Sequence, residues 1–368
     1  MIQGYKKLLK FTSAIFINSV LLYIIQPILF LTLLKMKDKK TRKKILKHST
    51  RMYYLFLNIL TGSDLLQRRL PIMVLESMNH GPIVWITACI HGDEIGSTVV
   101  VQEIFKRIKK KGLLKGTLYA FPLMNPSGFE TSSRNIAMSK EDLNRAFPGD
   151  KNGSLAERIA KKIFDTIMKT KPSLVLDLHN DWRKSIPYVL IDPIPKSTSK
   201  KVYEDTKMLS KKIGFPVILD TDNAEKTITY NILKKNIPAL VLELGESYVV
   251  NERDVENGVK AVWNILSHLK MVDNVDMNIR YDIPEKVKGK IMRYSQRPFS
   301  HASGIIRFLV RPNDIVKKGE PIAKIYNAFG KLLEVLNAEN DCIVLGYSDY
   351  SVAFPGAAVM AFGILKEN

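Results

Sequence analysis

The pattern of apolar residues predicts an α/β fold: a mixed, mostly parallel sheet flanked by helices, with a small C-terminal all-β module and an N-terminal apolar helix. Three observations carry this reading. Short apolar runs alternate with longer amphipathic ones through the middle of the chain, as βαβ units require. After about residue 283 only short alternating segments with Gly, Pro and Asn-Asp punctuation remain, the pattern of a small barrel or sandwich. Near the start, residues 11–34 carry no charge at all. A chain of 368 residues with 46% hydrophobic content has room for a substantial core. The expected organisation is therefore an N-terminal extension (1–62), an α/β domain (63–283) and a β module (284–368).

Residues 11–34 would make a helix longer than a hydrocarbon core of about 30 Å. Lys6, Lys7 and Lys10 precede the run, and the basic stretch 35–51 follows it, with eight Lys or Arg between 35 and 47. The heavier flank after the segment places the bulk of the protein on the cytoplasmic side of an inner membrane, held by one N-terminal helix. A long helix packed on the protein, or lying in the membrane interface, fits the same residues. Under either membrane reading, residues 11–47 would make the contact, the lysines meeting anionic headgroups. Residues 52–60 are a second apolar run, too short to span.

The formal charge of +20 is uneven. The first 70 residues hold 14 Lys or Arg against Asp38 and Asp64, which leaves +8 for all the rest. A nucleic-acid groove across the whole protein is thereby excluded. Two distant cysteines, Cys89 and Cys342, make no disulfide framework and point to a reducing compartment. Cys89, inside an apolar run, reads as a small core residue.

From residue 63 the elements follow in order. Residues 71–76 and 82–90 read as strands around a polar turn at 79–81. Residues 94–110 read as a helix, with Ile95, Val99, Ile104 and Ile108 near one face and lysines at the C-terminal end. A strand at 117–122 leads into a polar segment, 125–153, of a length that usually signals function. A helix at 156–169 precedes a buried strand at 173–178. Strands at 188–191, 216–220 and 239–244 then alternate with helices at 200–212, 228–235 and 255–269. The β module comprises strands at 305–310, 322–326, 331–336, 342–346 and 358–364.

Chemistry gathers first at His91-Gly92-Asp93-Glu94, where a strand end turns into a helix start. An imidazole and a carboxylate three residues apart can hold one metal ion, and a catalytic zinc site takes three such ligands with one position open. The third should come from another strand end, which His179 closes. His48, His80, His268 and His301 sit in the tail, a turn, a helix end and a polar approach, where solvent or structural roles suffice. Asp177 stands where a carboxylate could orient His179. Glu243 lies in an otherwise apolar strand, where burial and a nearby cation would tune it for proton transfer; alone, it fits a solvent-facing or Lys-paired carboxylate as well. In the long loop, Arg134 and Asn144-Arg145 offer guanidinium forks and an amide suited to a carboxylate or a developing oxyanion.

Five ordered motifs resemble the succinylglutamate desuccinylase/aspartoacylase family, a branch of the zinc carboxypeptidase-like hydrolases. They are His91-Gly92-Asp93-Glu94, Asn125-Pro126-Ser127-Gly128, Asp142-Leu143-Asn144-Arg145-Ala146-Phe147-Pro148-Gly149, Asp177-Leu178-His179 and Glu243. The similarity spans about residues 70–368. It implies one zinc ion per chain held by His91, Glu94 and His179, with Glu243 as general base and acid. It further implies Arg134 as the residue that polarises the carbonyl and Asn144 and Arg145 as the pair that holds the substrate carboxylate. The expected activity is zinc-dependent hydrolysis of an N-acyl amino acid or similar small amide, with a metallocarboxypeptidase acting on short peptides as the alternative. A membrane-surface binding module with a dead hydrolase site is disfavoured, since all three candidate ligands and Glu243 are retained. Ten residues separate Arg134 from Asn144, more than in aspartoacylases proper, so the substrate need be neither N-acetylaspartate nor succinylglutamate.

Overall fold

The structure, a computed structural model, describes residues 50–365 apart from 63–64, 221–223, 274–278, 280 and 349. The predicted apolar helix at 11–34 and nearly all of the basic stretch lie outside the described residues. Among the described residues no helix is long and apolar enough to cross a membrane.

The chain opens on a hairpin of β1 (Thr50–Thr61) and β2 (Gln67–Ser77), then runs through β3 (Ile83–Ala88), α1 (Ile95–Lys111) and β4 (Thr117–Phe121). A short helix, α2 (Pro126–Glu130), lies in the long polar loop before α3 (Leu155–Lys169) and β5 (Leu174–His179). Next come β6 (Lys184–Ser185), β7 (Tyr188–Ile191), α4 (Lys200–Ile213), β8 (Val217–Leu219), α5 (Ile228–Leu233), β9 (Ala239–Glu243) and α6 (Glu252–His268). The remainder is all β: β10 (Ile291–Ser295), β11 (Gly304–Phe308), β12 (Ile315–Val316), β13 (Pro321–Tyr326), β14 (Leu332–Asn337), β15 (Cys342–Tyr347), β16 (Val352–Ala353) and β17 (Met360–Ile364).

The main sheet has the order β1-β2-β4-β3-β5-β9-β7-β8-β10-β17-β15-β12, with β6 on β15. Four central strands, β4-β3-β5-β9, run parallel. The expectation of a mostly parallel sheet holds only there and for β7-β8-β10. β7 runs antiparallel to β9, the β1–β2 hairpin joins β4 antiparallel, and β17 returns antiparallel on β10. The physical reason is the connection: the short links from β2 to β3 and from β5 to β7 reverse the chain, so β2 and β7 oppose the parallel strands, which are joined by crossover helices. Residues 52–60 pair with β2 over the full strand length, so the apolar run belongs to this sheet. The boundary expected at residue 62 falls inside that hairpin. Beyond residue 283, β11, β13, β14 and β16 form a separate four-stranded sheet, while β10, β17, β15 and β12 extend the main one.

Alternation along the central strands divides the core between two faces. Val84, Ile86, Leu174, Leu176, Leu240 and Leu242 join one cluster with the apolar stripe of α1 and the helices α4 and α6. Trp85, Val175 and Ala239 join the other, under α3 and α5. Trp85 stacks on Tyr119 and Phe121, with ring centroids 4.8 and 5.0 Å away. At the head of α3, Ser154 and Glu157 form a reciprocal capping box.

Candidate metal centre

β3 and β5 are adjacent and parallel, and their C-terminal ends lie where the connections diverge, β3 leading to β4 on one side. Side chains gather at such a switch point because the loops leave a crevice. His91 follows β3, His179 closes β5, and Glu243 closes β9 as the direct register partner of His179. Glu94 is the N-cap residue of α1 and makes no side-chain cap bond. Its carboxylate is turned to the histidines instead.

His91, Glu94 and His179 are buried, and one ligand atom of each lies within 4.8 Å of the others. Glu94 Oε1 is 2.5 Å from His91 Nδ1. Oε2 is 2.9 Å from His179 Nδ1 but has no hydrogen-bond partner. The outer nitrogens are occupied: His179 Nε2 meets Asp177 Oδ2 at 2.8 Å, and His91 Nε2 meets Asp142 Oδ1 at 3.3 Å. Arg134 Nη1 stands 3.3 Å from His91 Nδ1. A ring nitrogen of each imidazole and a carboxylate with one unpartnered oxygen face one another in a buried space. The buried, unpartnered carboxylate oxygen is an acceptor that a cation between these groups would satisfy. Two imidazoles and one carboxylate, each imidazole oriented by an outer carboxylate, is a donor set that fits a divalent transition metal.

The electrostatics agree with a site built around positive charge. Burial opposes ionisation of Glu94, but the two imidazoles hold its carboxyl well below the usual range. Burial likewise works against a charged His179, and Glu94 and Asp177 overcome it, raising the imidazole well above its ordinary value. Glu243 is the opposite case. Burial pushes its carboxyl well above the usual range, with His179 opposing and Asp181 and Glu94 adding to the rise. Its Oε2 is enclosed without a hydrogen-bond partner. A carboxyl so placed takes up a proton more readily than an exposed one.

The loop residues divide. Arg134 binds Asp142 Oδ2 through Nε (3.1 Å) and Nη2 (2.9 Å), a bidentate pair beside the ligands. Asn144 is buried, its Oδ1 accepting from the backbone N–H of Ile228 at the head of α5, so its amide nitrogen is the remaining donor. Arg145 is exposed and donates to the Asn144 carbonyl. Asp142 is the residue that sequence reasoning left without a role. It caps the 3-10 turn Leu143–Arg145, orients His91 and grips Arg134. An Asp two residues before a candidate binding Asn was the available signal.

A family model described as the succinylglutamate desuccinylase/aspartoacylase catalytic domain matches residues 80–269. The chain belongs to that family. Within it, a curated relative, the N-alpha-acetyl-L-2,4-diaminobutyric acid deacetylase of Halomonas elongata, is 26% identical over 273 residues, covering 70% of this chain and 74% of its own. The product-bound ectoine utilization protein EutE (DoeB) of Ruegeria pomeroyi superposes with a TM-score of 0.74 at 19% identity, over 86% of this chain and 95% of that one. A succinylglutamate desuccinylase from Silicibacter does so with a TM-score of 0.72 at 18% identity and the same coverage. At such identities the two structures show a shared fold, and that fold extends well beyond the catalytic-domain match.

Proposed function

We propose that this member of the succinylglutamate desuccinylase/aspartoacylase family is a zinc-dependent amidohydrolase that removes the acyl group from an N-acyl amino acid or a similar small, carboxylate-bearing amide. The observation that carries the reading is the convergence of three buried ligand atoms, from His91, Glu94 and His179, next to Glu243, whose carboxyl burial pushes up. The deacetylase name of the Halomonas relative supports the reaction class. His91, Glu94 and His179 would hold the ion, one per chain. Bound zinc supplies Lewis acidity toward the amide carbonyl and makes a water acidic enough to attack it near neutral pH.

The chain's own residues do the rest. Glu243 Oε2 takes a proton from the attacking water and returns it to the leaving amine nitrogen. Arg134, fixed by Asp142, presents guanidinium N–H groups beside the ligands, where they stabilise charge developing on the carbonyl oxygen. Arg145 has an exposed fork for the substrate carboxylate, and the amide nitrogen of Asn144 adds one neutral donor. The test is metal analysis of the purified full chain, followed by a panel of N-acyl amino acids and short peptides. Glu243→Gln should retain zinc and lose about 10³-fold in kcat. Absence of zinc, or full activity in the variant, overturns the reading; cleavage of peptides alone makes the enzyme a carboxypeptidase.

A further inference from the structure

Among the described residues β1 is the edge strand of the main sheet, and its middle is unlike an ordinary edge. Tyr53, Tyr54, Leu55 and Phe56 are exposed, with Tyr54 and Phe56 at 62%. Edges are usually blunted by charge or covered, because an open apolar strand invites association. Leu57 and Ile59 instead turn inward, onto the cluster under α3. Met52, Tyr54 and Met73 line a shallow groove whose other wall is the outer face of α1, at Gln102, Lys106 and Lys109.

Basic side chains outnumber acids around this strip. Arg51, Arg68, Arg69, Lys106, Lys109 and Lys110 are exposed, and Arg69 stacks over Phe56 at 5.1 Å. Of the acids nearby, Glu103 is paired to Lys106 at 2.9 Å, and Glu76 stands opposite Arg51 in the hairpin register. A second copy brought up to this edge would set the same cations against one another, which costs free energy. An anionic surface meets them with complementary charge, and aromatic side chains at mid-strand match the headgroup level of a bilayer. The chain also reaches Thr50 directly from a stretch holding eight Lys or Arg between residues 35 and 47.

We propose that the β1 edge and the outer face of α1 form a docking surface for an anionic phospholipid bilayer, the basic side chains pairing with headgroup phosphates and Tyr54 and Phe56 entering the interface. The test introduces a reporter with Tyr54→Trp in the full chain, mixed with vesicles of brominated phosphatidylcholine with or without brominated phosphatidylglycerol. The three native tryptophans give a background that the parent chain subtracts. Trp fluorescence at position 54 should be quenched at least twofold when phosphatidylglycerol is present. Adding Lys106→Glu and Lys109→Glu should restore it to within about 20%, with an unchanged thermal melt. Vesicle binding without quenching at position 54 overturns the proposal and assigns the contact to the first 49 residues. A concentration-dependent blue shift without vesicles overturns it in favour of a dimer.

Discussion

Thr87 donates to Asp177 Oδ1 at 2.5 Å while His179 Nε2 meets Asp177 Oδ2, so one buried carboxylate ties the ends of β3 and β5 together. Asp177→Asn would keep the shape and lose the charge that fixes the imidazole. Metal affinity should fall about 10- to 100-fold, as read by chelator competition, and an unchanged affinity would contradict the orienting role. A second buried acid, Asp192, answers to pH. Burial pushes its carboxyl up to about 7, with Thr229 opposing and Asp220 and Asp177 adding. Between its ordinary value near 4 and 7 the folded state holds a proton that the unfolded state has released. Stability therefore falls as pH rises through that window and levels off above it. Thermal melts of Asp192→Asn should lose a few degrees of that slope, and a parallel pair of pH curves would refute the assignment. His91, Glu94 and His179 are legible in the sequence because each stands at an element end that local patterning reveals. Asp142 is not, since its meeting with His91 depends on the path of a loop that has no periodicity.

Elements hold the site through close backbone approaches. A Cβ at Gly92 would stand 1.9 Å from the Gly128 carbonyl carbon, because the turn carrying His91 lies directly on α2. Gly92 N–H donates to the Ser133 carbonyl at 2.9 Å, fixing the same contact one residue before Arg134. Gly92→Ala should destabilise the protein by about 3 kcal/mol and lower its retention of metal, measured together by melting and metal content. A variant with both unchanged would show that the turn yields. The capping box of α3 is a milder support: Ser154→Ala should cost about 1 kcal/mol by denaturant titration. Most helices and strands between residues 71 and 269 can be read from period and capping. Strand direction cannot, as with β7, which has the composition of a parallel strand yet pairs antiparallel with β9.

At the scale of the molecule, the C-terminal strands complete the sheet. β10 covers the free edge of β8, and Ile343, Leu345 and Ala361 pack with Ile186, Tyr188 and Ile218. Uncovering those last three would forfeit roughly 6 kcal/mol at 1.5–3 kcal/mol per large side chain, comparable with the stability of a whole domain. A chain ending at residue 283 should therefore aggregate or lose its cooperative melt. A soluble, sharply melting product would show that the α/β part stands alone. The sequence signals the change to short strands after residue 283, but the share of them that joins the main sheet depends on long-range pairing.

The interval between Arg134 and Asn144 has a consequence for how such an enzyme could diversify. Ile136 N–H donates to the Glu141 carbonyl and Lys140 N–H to the Ile136 carbonyl, both at 2.9 Å, so the intervening residues close on themselves. Arg134 and Asp142 still meet at 2.9 Å across that closed excursion. Chain length added or removed between 136 and 141 would leave the guanidinium in place. The excursion is a natural splice point, where the surface can change without redrawing the Arg134–Asp142 pair beneath it.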